Sequence, residues 1–285
     1  MNKIAIGSVQ FGVNYGISNQ KGIVEMAEVE AILNLAKKNG IDTIDTAKNY
    51  GKSEEVIGGY FKKYPKDNWS IITKITSLEK SLEDCIAESE KKLNMSLSAV
   101  LAHSSKQYLD KDFQKQAKVL KKKYPKKKIG VSLYTEKEIH QVLNSGFELE
   151  IIQLPMNILD TRLFHSGLLN QIFEKHIEIH ARSVFLQGLF YLSKKKIKHR
   201  FPDAYSSILE LESIAFSAGL TLAQLSLLWL LNLEQISKVI IGVENKIQLY
   251  EHLKTIDKKI DHISFKKALE VRFNNEKVLN PVLWN

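Results

Sequence analysis

Short apolar runs alternate along this chain with longer stretches in which apolar residues recur every three or four positions. The short runs, at 3–8, 43–46, 70–75, 99–102, 128–132, 150–153, 178–181 and 238–241, are predicted strands. Several are apolar throughout rather than alternating, as strands buried on both faces of a parallel sheet must be. The intervening stretches have helical signatures. In 26–39, Val29, Ile32, Leu35 and Ala36 share one face, and Asn39-Gly40 supplies a stop. In 80–94, Leu82, Ile86 and Leu93 fall at helical spacing. Thr221 with Gln224 forms the pattern of a capping box ahead of Leu225, Leu228 and Trp229. Further helices are predicted at 53–62, 111–122, 136–144, 167–175, 205–217, 245–255 and 264–273. Repeated β-then-α units imply parallel strands joined by right-handed crossovers. Eight of them point to a single-domain (β/α)8 barrel, an α/β TIM barrel over 1–285, although strand pattern alone leaves an open doubly wound sheet in play.

Composition narrows the function class. The 285 residues are 44% hydrophobic and 26% charged, an ordinary globular mixture. No apolar run reaches the roughly 18 residues of a membrane span, and the first residues read as a strand, not a signal peptide. The net charge of +9 gathers in lysine runs at 121–123, 126–128 and 194–196. These lie outside any nucleic-acid module and carry no interleaved aromatic platform, so they read as solvated helix ends and loops, with no nucleic-acid partner. Cys85 is the one cysteine; this excludes an intrachain disulfide and favours a reducing, cytoplasmic setting, with Cys85 itself a buried thiol. Gly51-Lys52-Ser53 resembles the end of a phosphate-binding loop, but Thr46 stands where its first glycine belongs. His176 and His180 are four apart, but a strand begins between them, so no metal pair is expected.

The candidate chemistry comes from spacing. Asp45, Lys74, His103 and Ser132 each close a predicted strand and are separated by 29 residues three times over. Such a repeat is close to the roughly 31-residue unit of an eight-fold barrel and sets the four side by side at equal register on its C-terminal rim, where barrel active sites are built. Tyr50, five residues after Asp45, can fold back over the same rim. A phenol is a poor proton donor at neutral pH; a nearby ammonium favours its ionised form, and a carboxylate keeps that ammonium charged and oriented. An imidazole beside them can donate to a carbonyl oxygen.

The segment Asp42-Thr43-Ile44-Asp45-Thr46-Ala47-Lys48-Asn49-Tyr50-Gly51 resembles the signature of the aldo-keto reductase superfamily. The likeness continues in order through Thr73-Lys74, His103, Gly130-Val131-Ser132, Gln153-Leu154-Pro155 and Ile241-Gly242-Val243. The resemblance implies a reductase of aldehydes or ketones, including sugar-derived ones, using NADP(H) or NAD(H). Tyr50 would be the general acid, Lys74 and Asp45 would tune it, and His103 would orient the small-molecule carbonyl substrate. Ser132 and Gln153 would hold the nicotinamide carboxamide, while Gly242, Glu244, Asn245 and Gln248 would line the cofactor. Leu133 replaces a usual asparagine. Arg182 stands where a ring often stacks on nicotinamide, and its guanidinium could stack there or serve substrate. Glu244 occupies a position where relatives using NADPH carry a cation, so a shift towards NADH is expected. Two other readings fit less of the pattern: a Schiff-base aldolase on Lys74, and a silent nicotinamide-binding interaction protein.

Overall fold

A computed structural model describes residues 2–284. Eight parallel strands close into a barrel in chain order: β1 Ile4–Gly7, β2 Thr43–Asp45, β3 Ser70–Ile75, β4 Ala99–Ala102, β5 Lys128–Ser132, β6 Ile151–Pro155, β7 Glu178–Arg182 and β8 Ile236–Gly242. β1 closes the ring against β8, with Gly7 opposite Gly242. The last strand begins two residues earlier than its apolar run suggests. A bulge between β7 and β8 sets Ile179 against Ile236 but His180 against Lys238, so one extra residue, Ser237, extends the pairing.

The helices are α1 Met26–Lys38, α2 Ser53–Lys63, α3 Leu82–Leu93, α4 Ser105–Tyr108, α5 Lys111–Lys123, α6 Glu136–Leu143, α7 Arg162–His165, α8 Leu168–Glu174, α9 Lys194–Arg200, α10 Tyr205–Ser217, α11 Leu222–Asn232, α12 Lys246–Ile256, α13 His262–Glu270 and α14 Glu276–Leu279. Thr221 and Gln224 form the expected capping box on α11. Gly40 ends α1 in the left-handed region at φ 73°, which glycine adopts without strain. α13 starts before its predicted position because Asp261 caps it, its side chain accepting from Ser264 N. α11 is buried nearly all round, against α10, α12 and β8. No single helix among the described residues is long and apolar enough to cross a membrane.

Two apolar regions support the mouth. A large core fills the space between strands and helices, and Cys85 lies within it. A separate plug of Ile72, Ala99, Leu101 and Ile151 packs inside the barrel. The lysine runs are less uniformly solvated than their composition suggests. Lys127 is buried, donating to Glu90 at 2.5 Å and to Leu97 O at 2.9 Å, and Lys121 pairs with Glu150 at 2.9 Å. Lys194, Lys195 and Lys196 are exposed on the first turn of α9.

The equal-register expectation needs correcting. Asp45 lies opposite Ile72, not Lys74, and Lys74 lies opposite Leu101, not His103. Each step is two residues, so the side chains keep the same inward orientation. Strands of such a barrel tilt by roughly 36°, and residues level along the barrel axis must therefore be offset in register. The repeat of 29 brings the residues together because it includes this stagger. His103 and Ser132 differ in that the pairing of Ala102 with Val131 leads them forward in step.

Candidate active site

The mouth is built from β2 and β3 outwards. Lys74 Nζ donates to Asp45 Oδ2 at 2.6 Å and to Thr46 O at 2.9 Å, and lies 3.5 Å from the Tyr50 hydroxyl. The Lys74 and Asp45 side chains are only 1% and 5% exposed. Burial opposes the lysine's charge, but the Asp45 carboxylate and the Tyr50 phenol outweigh it and hold the Lys74 pKa above its ordinary value. Lys74 is thus a fixed ammonium, oriented on the side facing the phenol.

Tyr50 reaches this place because its loop is anchored at both ends. Lys48 N donates to Lys74 O at 3.0 Å, and Tyr50 N to Ala47 O at 3.0 Å. The Ser53 hydroxyl, at the start of α2, lies 2.9 Å from Ser8 O and 2.8 Å from Ser8 Oγ. The loop also presses against the chain leaving β1. A Cβ added at Gly12 would lie 1.8 Å from Tyr50 O, and Gly51, at φ 55°, would meet Gly12 O at 2.4 Å. These two glycines let the backbones approach closely enough to set the tyrosine's height over the rim.

His103 follows β4, its backbone N shared between Ile75 O and Gln107 Oε1, both at 3.0 Å. Its ring meets Tyr50 edge-on, with centroids 6.5 Å apart. Burial, then the charges of Lys74 and Arg182, push its pKa down to about 4. The imidazole is therefore neutral at physiological pH and can donate one N–H to a carbonyl oxygen.

Across the barrel, Gln153 Nε2 donates to Asp45 Oδ1 at 2.8 Å, and Ser132 Oγ lies 3.4 Å from Gln153 Oε1. The amide nitrogen thus fixes the carboxylate that fixes the lysine, while Oε1 faces the Ser132 hydroxyl. Leu133 is fully buried and offers only its backbone oxygen, 3.2 Å from Arg182 Nη2. Arg182, at the end of β7, lies with its guanidinium 4.1 Å from the centroid of the Tyr134 ring.

Asp45, Tyr50, Lys74, His103, Ser132, Gln153, Arg182, Gly242, Glu244 and Gln248 all line one cleft that is open to solvent. Asn245 stands apart from that lining; its side chain caps α12, accepting from Gln248 N at 2.9 Å. At this end the Gln248 Oε1 accepts from Glu244 N at 2.8 Å, and burial raises the Glu244 pKa against the opposing charge of Lys21. Sequence reasoning missed Tyr15, Tyr134, Gln187 and His252, which share the cleft. Only Tyr134 had a signal, its position two residues past Ser132. Burial keeps the Tyr15 phenol well above its ordinary pKa, hence protonated. His252 stacks on Phe185 at 4.7 Å, and burial pushes its pKa down to about 4.

The cleft also holds an unmet valence. Gln10 packs over Gly242 so closely that a Cβ there would lie 2.6 Å from its Nε2, and the buried Gln10 Oε1 has no hydrogen-bond partner among the described residues. A buried acceptor of this kind needs a donor from a ligand or water.

Comparison with known proteins agrees with this geometry. The crystal structure of a Pseudomonas aeruginosa protein designated an aldo-keto reductase superposes with a TM-score of 0.61 at 19% identity, over 90% of this chain and 89% of that one, which supports the fold. The model of the Aldo/keto reductase family matches residues 3–271, nearly the whole barrel and every side chain at its mouth, and on that match the chain belongs to the aldo/keto reductase family.

Proposed function

We propose that the protein is an NAD(P)H-dependent oxidoreductase that reduces an aldehyde or ketone to an alcohol at this mouth, with Tyr50 as general acid. One observation carries the reading: a buried ammonium, Lys74 Nζ, spans Asp45 at 2.6 Å and the Tyr50 hydroxyl at 3.5 Å beside a neutral imidazole. The nicotinamide, when bound, supplies hydride to the carbonyl carbon. The chain's own groups do the rest. Tyr50 delivers its proton to the carbonyl oxygen as negative charge develops there. Lys74 stabilises the phenolate left behind, and Asp45, itself held by Gln153, keeps the ammonium in line. His103 donates to the same oxygen and orients it. Ser132 Oγ and Gln153 Oε1 would hold the carboxamide, and Gln10 Oε1 would accept from a sugar hydroxyl.

Glu244, with Gln248, would contact the adenosine end. A carboxylate there repels a 2′-phosphate and can accept from ribose hydroxyls, which favours NADH over NADPH. A Schiff-base role for Lys74 fits less well, because a nucleophilic lysine must be neutral and this one is held charged by its carboxylate. The test is consumption of reduced nicotinamide with a panel of aldehydes and ketones. Tyr50→Phe should lose turnover by about 10²- to 10⁴-fold while still binding cofactor. Turnover undiminished in Tyr50→Phe, or a borohydride-trapped adduct on Lys74, would overturn the assignment.

A further inference from the structure

Building on that reading, we propose that the carbonyl substrate carries an anionic group, a carboxylate or phosphate, and that Arg182 binds it. The charges at the mouth are unbalanced. Lys74 is neutralised by Asp45, but Arg182 has no carboxylate partner among the described residues. The contrast with Arg162 is direct: that guanidinium is met by Asp160 at 2.8 Å and Glu276 at 2.6 Å. Arg182 instead spends two of its five N–H donors on long, neutral contacts, Ser183 Oγ at 3.3 Å and Leu133 O at 3.2 Å. A half-buried guanidinium with donors to spare is suited to bidentate recognition of a planar anion.

The arginine is also held in readiness. The guanidinium lies over the Tyr134 ring, 4.1 Å from its centroid, a cation–π contact that holds it in place. Its backbone oxygen accepts from Met156 N at 2.9 Å, and the next carbonyl, Ser183 O, accepts from the buried Asn157 side chain at 3.3 Å. These bonds support a turn in which three non-glycine residues adopt left-handed φ: Ser183 at 60°, Leu186 at 46° and Gln187 at 50°. Backbone strain of this kind persists only where surrounding contacts over-determine it, and it clusters at ligand clamps. The location favours substrate over cofactor phosphate. Arg182 lies close enough to His103 and to Tyr15 for its charge to act on both, whereas the Glu244 end carries the carboxylate. An anion on Arg182 would leave a carbonyl within the same molecule to meet Tyr50 and His103.

The test uses matched probes: succinic semialdehyde against butyraldehyde, and glyceraldehyde 3-phosphate against glyceraldehyde. The intact enzyme should favour the anionic member of at least one pair by about 10- to 100-fold in kcat/KM, the range of a charged hydrogen bond. In Arg182→Met that ratio should collapse towards one, and in Arg182→Lys it should be partly retained. Butyrate should inhibit the unaltered enzyme competitively against the carbonyl substrate, a measurement that needs no variant. A preference that survives in Arg182→Met, or butyrate that competes against the cofactor instead, would overturn the proposal. If neutral aldehydes are reduced at equal efficiency to charged ones, this inference fails while the reductase reading stands; if no carbonyl is reduced at all, the reductase reading itself fails.

Discussion

Replacing Lys74 by methionine separates the two jobs assigned to this side chain. The ammonium and the Asp45 carboxylate are 2.6 Å apart with side chains 1% and 5% exposed. Removing the cation alone strands a buried carboxylate whose one remaining side-chain donor among the described residues is the Gln153 amide. Breaking a buried pair from one side costs about 3–5 kcal/mol. In a chain of this size about 2 °C accompanies each kcal/mol, so Lys74→Met should melt about 6–10 °C lower. The double variant Asp45→Asn, Lys74→Met removes both charges and should recover most of that loss, because a neutral pair carries no desolvated charge. Turnover should not recover: both variants should lose about 10²- to 10⁴-fold in kcat, the range of lost acid–base assistance. Melting followed by circular dichroism and single-turnover reduction supply the two readouts. The sign with pH follows from the lysine's raised pKa. Its stabilising contribution is fully present below pH 10.5 and is lost only as pH climbs through the higher folded value. A single variant as stable as the parent would refute the idea of an uncompensated charge. A double variant with restored turnover would refute Lys74 as the group that tunes Tyr50.

Three further outcomes follow from the same geometry. Gly12→Ala would place a methyl 1.8 Å from Tyr50 O and 2.4 Å from Ser53 N, both backbone atoms, so the tyrosine loop must move; stability should fall by about 1–3 kcal/mol and kcat should fall more than KM rises, with unchanged kinetics counting against the close approach. His103 should titrate by NMR near pH 4 rather than the ordinary 6.5; because its folded pKa is depressed, the stability gained from a neutral ring is present above pH 6.5 and lost as pH falls from there towards 4, and a measured pKa of 6.5 would remove the burial argument. Cofactor choice should favour NADH, with Glu244→Lys shifting kcat/KM towards NADPH; a strong NADPH preference in the unaltered enzyme would defeat the role given to Glu244.

The strands and the acid–base set were legible in the sequence because both obey a period. β3, β4 and β5 have the bounds predicted for them: β4 is apolar throughout, and in β3 and β5 short apolar stretches stand between polar residues at or near the strand ends. The interval of 29 between Asp45, Lys74 and His103 encoded proximity without revealing its cause, a two-residue stagger between tilted strands. α4, α7 and α14 left no mark because four residues are too few to show a helical repeat. α9 was hidden by its composition: Ile197 is its only buried residue, so no apolar stripe distinguishes it from a charged loop.

What stayed illegible is the side of the site that depends on loops. The stack of Arg182 on Tyr134 joins residues 48 positions apart by a contact between two loop-edge side chains, and neither hydropathy nor turn chemistry encodes such a pairing. The left-handed Ser183, Leu186 and Gln187 are equally silent, since none is a residue type that favours that conformation. Gln153 shows how resemblance can be right in position and incomplete in role. Its place in the motif suggests a cofactor ligand, yet in the folded chain its amide nitrogen is committed to Asp45 at 2.8 Å. An amide has two ends, and here the nitrogen secures the Asp45 carboxylate while the oxygen faces the Ser132 hydroxyl; on the proposed mechanism the two ends serve the proton donor and the cofactor respectively. A Gln153→Glu exchange should therefore disturb proton transfer as well as cofactor affinity, because the donor to Asp45 would become a second buried carboxylate. An effect confined to cofactor binding would show that the nitrogen's bond to Asp45 has no part in catalysis.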